Sequence, residues 1–253
     1  MRRPALVMLG LVAAACSGTS STGSAATSTL TVFAASSLTA AFNQIGPGFT
    51  AANPGITVTF NFGSSTDLAA QIQSEGTADV FASASGIAMD SVEGDPGLTD
   101  RSVFATNRLV VITPPDDPAG IASIADLAKS GVQLVLAAKG VPVGDYARQA
   151  LTSAGILQAA MQNVVSNEDD DASVVAKVTS GEADAGIVYT SDVVAAGNAV
   201  RSVTIPPAVN VVASYPIAVV GSTQSQAGTS FLDYVMGSKG QATLKDFGFG
   251  PAG

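Results

Sequence analysis

"LTVFAASSLTAAF", residues 30–42, places an apolar run directly before two serines and then an apolar pattern at helical spacing. Leu30 to Ala35 reads as a buried strand. Leu38, Phe42, Ile45 and Phe49 then recur three and four residues apart until the stop signal Asn53-Pro54-Gly55. A strand that turns through Ser36 and Ser37 into a helix is the opening of an α/β unit. The first N–H groups of such a helix have no partner inside it, so the two serines are either ordinary caps or part of a site for an anion.

The same alternation continues outward. "ITVTFNF" (56–62) has period two and reads as a strand, and "GSSTDLAAQIQSEG" (63–76) as a loop followed by a helix. Further strands are expected at 79–83, 107–113, 132–138 and 184–189 and in the run 209–222. Helices are expected over 123–131, 144–156, 172–182, 225–238 and 240–248. Strands alternating with helices predict mainly parallel sheets covered on both faces, in more units than one small sheet holds. In such sheets ligands lie beyond the carboxyl ends of the strands. Four turns there precede helices: those around Ser36–Ser37, Ser64–Thr66, Val141–Gly144 and Glu168–Asp171.

Composition narrows the chemistry. The chain has 253 residues, a formal charge of −9, no histidine and one cysteine. Its start, "MRRPALVMLGLVAAAC", has the basic, apolar and small-residue segments of an export signal and is too short to span a bilayer. Its ending at Cys16 resembles the lipobox of bacterial lipoproteins. Residues 17–29 are almost entirely Ser, Thr, Gly and Ala and read as a tether. Without Arg2 and Arg3, nine basic residues face twenty acidic ones, a charge of −11 that disfavours nucleic acid and anionic lipid as partners. The missing histidine excludes a His-dependent triad, and no metal cation or cofactor is implied. A serine hydrolase with a lysine base is a distant alternative, for no G-x-S-x-G elbow is present.

Each turn also has a structural reading. Ser37 and Ser65 suit helix caps, Ser64 and Asp67 have capping-box spacing, Tyr189 suits a core aromatic, and Glu168–Asp171 suits a solvated first turn. If the turns act together, local dipoles must hold the anion, because the overall charge repels it.

"LTVFAASSLTAAF", "FNFGSSTDLAAQI", "ADVFASAS", "NRLVVITP", "VPVGDYARQAL", "GEADAGIVYTSDV" and "YPIAVV" stand in the order and near the spacing of the periplasmic molybdate-binding proteins of ABC importers, and the chain resembles that family over essentially all of 30–250. The resemblance implies a two-lobed periplasmic-binding-protein fold with two hinge crossings, near 107–111 and 214–218. Lobe I would be 30–108 with 214–253, and lobe II 109–213. It implies a monomeric receptor, lipid-anchored through Cys16 to the outer face of the cytoplasmic membrane, that takes molybdate or tungstate as cargo and delivers it to a membrane permease. The implied oxyanion contacts are Ser37, Ser65, Val143 (through its N–H), Asp171 or its neighbour Asp170 (also through N–H), and Tyr189, with Ser36 and Thr66 as auxiliaries. Asp171 departs from the family's usual valine. A carboxylate facing inward would favour an anion that brings its own proton, so phosphate, then sulfate, are the alternative ligands.

Overall fold

The computed structural model describes residues 28–221 and 225–252. The export signal, Cys16 and nearly all of the tether lie outside these residues.

The first strand, β1 (Ser28–Ala35), passes through a 3-10 turn (Ser36–Leu38) into helix α1 (Thr39–Ala52). It starts two residues inside the stretch read as tether, because Ser28 and Thr29 pair with Ile56 and Thr57 of β2 (Ile56–Gly63). Next come α2 (Ser65–Glu75), β3 (Val80–Ala82), α3 (Gly86–Val92) and the long β4 (Leu98–Thr113). The chain goes on through β5 (Leu134–Ala137), α4 (Pro142–Ser153), α5 (Leu157–Gln162), β6 (Val164–Glu168), α6 (Asp171–Thr179), β7 (Ala185–Tyr189), α7 (Thr190–Ala196) and β8 (Arg201–Thr204). It closes with β9 (Val212–Val220), α8 (Gln226–Met236) and α9 (Ser238–Asp246).

The strands follow the order β2-β1-β3-β9-β4-β7-β5-β6, with β8 also on β4. Two parallel trios, β2-β1-β3 and β6-β5-β7, are joined by the antiparallel strands β9 and β4. β1 and β5 are buried on both faces and therefore read as unbroken apolar runs. β4 changes partners midway: up to Arg108 it pairs with β9, and from Leu109 with β7.

That change of partners falls between Arg108 and Leu109, inside the stretch 107–111. Thr204 of β8 pairs with Val110 and Val212 of β9 is in register with Arg108, so residues 205–211 carry the chain from one part of β4 to the other, ahead of 214–218. The Asn210 side chain fills the break between strands. Its Oδ1 accepts from Leu109 N (3.1 Å) and its Nδ2 donates to Leu109 O (2.9 Å), completing both backbone groups of the residue at which β4 changes sheets.

The first part of β4 was not visible in the pattern of side chains. Register shifts between Thr99 and Ser102 and between Val103 and Ala105 break the alternation that reveals a strand. Elements α3, α5, β6, α7 and β8 are likewise additions to the sequence reading, each of seven residues or fewer.

A line of aromatic rings runs through the core to the C-terminal ends of the strands. Phe49 packs edge-on to Phe231 (5.2 Å between centroids), Phe231 to Phe42 (5.8 Å), Phe42 against Phe104 (6.1 Å), Phe104 to Tyr215 (6.3 Å) and Tyr215 to Tyr189 (5.8 Å). Helix α1 lies close enough to β2 that a Cβ on Gly46 would stand 2.8 Å from the Phe60 ring. Among the described residues no helix is long and apolar enough to cross a membrane.

Candidate functional site

Tyr189, the last ring in that line, forms part of the wall of a small cavity beyond the strand ends. Ala35, Ser36, Ser37, Ser64, Ser65 and Ala84 line it from one side of the crossing, and Val141, Pro142, Val143, Asp171 and Tyr189 from the other. The five residues named from sequence, Ser37, Ser65, Val143, Asp171 and Tyr189, thus meet in one place, with Ser36 beside them. Thr66 does not line the cavity; its hydroxyl donates to Gly140 O (2.6 Å), bridging α2 to the turn before α4.

The backbone is arranged by four strand-to-helix turns. The chain leaves β1 at Ser36, enters α2 at Ser65, enters α4 at Pro142 and enters α6 at Asp171. Each presents first-turn N–H groups and the positive end of a helix dipole. Pro142 at the first position of α4 has no N–H to leave unpaired. Gly144 lets α4 begin directly against the end of β5, since a Cβ there would lie 2.3 Å from Ala138 O and 2.4 Å from Ala137 O.

The serines are not spent as caps. Neither α1 nor α2 has a side-chain cap bond, and the capping box expected between Ser64 and Asp67 does not form. Ser37 Oγ is 2.9 Å from Tyr215 Oη, and Ser65 Oγ accepts from Ala84 N (2.9 Å). The latter bond fixes the Ser65 oxygen as acceptor and leaves its own proton to donate. Ser64 Oγ and Tyr189 Oη are buried with no hydrogen-bond partner. Buried polar atoms in that condition are uncommon, and these two belong to the lining of one cavity.

Asp171 is a further departure from a solvated turn. Asp170 is the residue outside the helix: its carboxylate caps α6 by accepting from Ser173 N (2.8 Å). Asp171 is 2% exposed and lines the cavity; its Oδ1 accepts from the Ser36 hydroxyl and its Oδ2 has no partner. Burial raises its pKa above the ordinary carboxylate value, opposed by the bond from Ser36. Behind it, Asp192 of α7 accepts from Tyr189 N (2.8 Å). Burial first, and then the charge of Asp171, push the Asp192 carboxyl well up. Burial, followed by the neighbouring Tyr215 and Asp171, also raises the Tyr189 phenol, so it stands as an O–H donor.

Ser64, Ala84, Tyr215 and Asp192 were not anticipated. Ser64 lay inside a quoted turn and differs from its neighbours in holding an unpartnered hydroxyl. Asp192 and Tyr215 act through contacts between distant segments that no local spacing reveals. The lining contains no lysine or arginine. An anion held here is held by hydroxyls and helix termini, and the single ionisable carboxyl in the wall has the opposite preference.

The family model of the bacterial extracellular solute-binding proteins matches residues 30–250. The molybdate-binding protein ModA of Mycobacterium tuberculosis is 38% identical over 250 residues, covering 97% of this chain and 94% of the relative. ModA of Escherichia coli is 32% identical over 228 residues, with 87% of this chain and 88% of the relative covered. The periplasmic molybdate-binding protein of Azotobacter vinelandii superposes with a TM-score of 0.76 at 22% identity, over 87% of this chain and 98% of that one. That likeness is one of fold: a periplasmic-binding-protein architecture of two α/β parts. With a family match over nearly all described residues and relatives aligned almost end to end, the chain belongs to the bacterial extracellular solute-binding proteins, whose work is to hold a solute rather than transform it.

Proposed function

We propose that the protein captures molybdate or tungstate in the cavity between its two lobes and delivers it to the permease of an ABC importer. The observation that carries this reading is the meeting of four helix starts and the hydroxyls of Ser36, Ser37, Ser64, Ser65 and Tyr189 around one cavity without a cationic side chain. Hydrogen bonds to a charged group contribute about 1.5–3 kcal/mol each. Five to seven such bonds sum to about 8–20 kcal/mol before desolvation and ordering are subtracted, against the roughly 8–12 kcal/mol net of micromolar to nanomolar binding. The relatives named for molybdate support this choice of tetrahedral oxyanion.

In this reading Ser37 and Ser65 donate from lobe I, and Tyr189 with the N–H groups of Val143 and Asp171 from lobe II. The lobes, 30–108 with the C-terminal segment and 109 to the second crossing, close on the anion by bending where β4 changes partners. The mature protein is a monomer anchored through lipid on Cys16, which mass spectrometry of the membrane fraction checks. Calorimetric titration of exhaustively dialysed protein with molybdate, tungstate, sulfate and phosphate tests the ligand. Tight binding of the first two and negligible binding of the others is the expected result.

Phosphate is the second reading, favoured by the inward carboxyl of Asp171. An ionised Asp171 accepts the proton of hydrogen phosphate and repels molybdate, which carries none at neutral pH. Phosphate binding tighter than molybdate in the same titration replaces the first reading with this one.

A further inference from the structure

Within the oxyanion reading, Asp171 remains the residue in the cavity wall that opposes the ligand. It is buried, its Oδ2 has no donor within reach, and it stands beside a second buried carboxyl, Asp192. Two ionised carboxylates offer each other acceptors only. Asp192 is buried on α7, the helix packed against α6, so a proton held by either carboxyl relieves the repulsion between them. Asp192 cannot turn away, because it also accepts the Tyr189 N–H that starts α7. The same α7 start is fixed to the crossing strand by the bond from Asn107 Nδ2 to Ser191 Oγ, 2.8 Å.

Among the described residues, no element packed on α6 supplies a positive charge to neutralise the pair. Helix α6 packs on β4, β5, β6, β7, α7 and the 36–38 turn. From α7 comes Asp192, from β7 the Tyr189 phenol, and from β6 Glu168, which is engaged by the Ser166 hydroxyl. β5 and the 36–38 turn bring no titratable group. On β4, Arg108 is exposed and Arg101 is paired with Asp90 and Glu93. On α6 itself, Asp170 serves as the cap and Lys177 is paired with Glu182. Tyr215, on β9, is bonded to Ser37.

We propose that Asp171 and Asp192 form a proton-holding pair in the cavity wall, that a doubly charged oxyanion is captured with Asp171 neutral, and that capture therefore takes up a proton. The proton comes from solvent, bonds to an Asp171 carboxylate oxygen and converts it from a repelling acceptor to a donor facing the anion. Asp171 is on this account the residue that sets the pH range of capture and separates a fully ionised oxyanion, which needs the proton, from one that brings its own. The sign follows from linkage. The anion favours the protonated carboxyl, so affinity is greatest below the pKa of the empty site and is lost as pH rises above it, approaching tenfold per unit for one proton.

The test is calorimetry of the whole soluble chain with molybdate from about pH 6 to 9, in buffers of different ionisation enthalpy, for wild type, Asp171→Asn and Asp192→Asn. The expected result is net proton uptake by wild type, with affinity falling toward tenfold per pH unit. Asp171→Asn, which keeps shape and offers an N–H donor, should show neither uptake nor slope. A protonated-carboxyl stretch in the infrared spectrum of the ligand-free wild type at neutral pH, lost in Asp192→Asn, reports the pair without any ligand. Molybdate binding with no uptake and no slope, or an equal slope in Asp171→Asn, overturns the proton-holding role while leaving molybdate as ligand. Absence of molybdate binding at every pH overturns the ligand reading and this proposal with it. Phosphate binding that Asp171→Asn abolishes assigns Asp171 the reverse role, that of an ionised acceptor, and overturns the proposal as well.

Discussion

A serine hydroxyl in this cavity has two obligations, and the pattern of bonds separates them. Ser65 Oγ receives the Ala84 N–H, which orients the oxygen and commits its acceptor side. Ser37 shares a bond with Tyr215, a ring locked between Phe104, Tyr189 and Phe249. Both hydroxyls are thus preoriented before an anion arrives, which reduces the ordering cost of binding. Ser37→Ala and Ser65→Ala should each weaken oxyanion binding by about 1.5–3 kcal/mol, roughly ten- to a hundredfold in Kd, as read by titration calorimetry. Wild-type affinity in both variants rules out these hydroxyls as contacts. The turns at Ser37 and Ser65 were legible from local signals, an apolar strand, small hydroxyl residues, then helical spacing, whereas their convergence on one site came only from the resemblance of the motifs in their joint order. Whether the hydroxyls cap their helices or face a cavity was not legible, since Ser, Thr and Asn suit both roles. The deciding partners, Ala84 N and Tyr215 Oη, lie 19 and 178 residues away.

At the scale of elements, the critical feature is the exchange of partners along β4. A strand that leaves one neighbour and joins another passes through a residue whose backbone has a partner on one side only. Leu109 is that residue: β7 pairs with it on one edge, and on the other the Asn210 amide stands in for a strand, donor to carbonyl and acceptor to N–H. Leu109 is buried, so no water readily replaces the amide. Asn210→Ala should lower unfolding free energy by about 1–3 kcal/mol per group left unpaired, measured by urea denaturation. Asn210→Asp, which keeps the acceptor and loses the donor, should fall between. Equal stability of wild type and both variants contradicts the account. The sequence offered no sign of this device: "VNVV" reads as strand, and an asparagine among valines has no periodic signature. β1 and β7 were legible as short apolar runs and α1 because its core face repeats at helical spacing. The bulged half of β4 was not, because bulges erase the repeat.

The molecule as a whole carries an excess of acidic groups, formally −9, and buries two of them together beside its cavity. Surface carboxylates with partners pull the other way at low pH: Glu182, held by Lys177 and Ser180, has its pKa lowered, so that part of the stability is already complete once the acid range is passed. Asp171 and Asp192 have folded-state pKa values above those of the unfolded chain, primarily through burial. At these two groups the folded protein therefore holds more protons than the unfolded chain above about pH 4, where free aspartates ionise. The stability these two groups contribute is full below that pH and is lost as pH rises through their folded values, at up to about 1.4 kcal/mol per pH unit for each proton. Loss of positive charge from lysines toward alkaline pH acts in the same direction, because it leaves the excess of carboxylates less balanced. Urea unfolding of the ligand-free protein should accordingly show a decline in stability from mildly acidic toward alkaline pH, with a shallower slope in Asp192→Asn. A flat profile contradicts this account, and one that falls as steeply in the variant as in wild type assigns the decline to overall charge alone. A shallower slope in the variant means that the buried carboxyls destabilise the ligand-free fold when both are ionised, so that the folded protein is most stable under conditions that supply a proton.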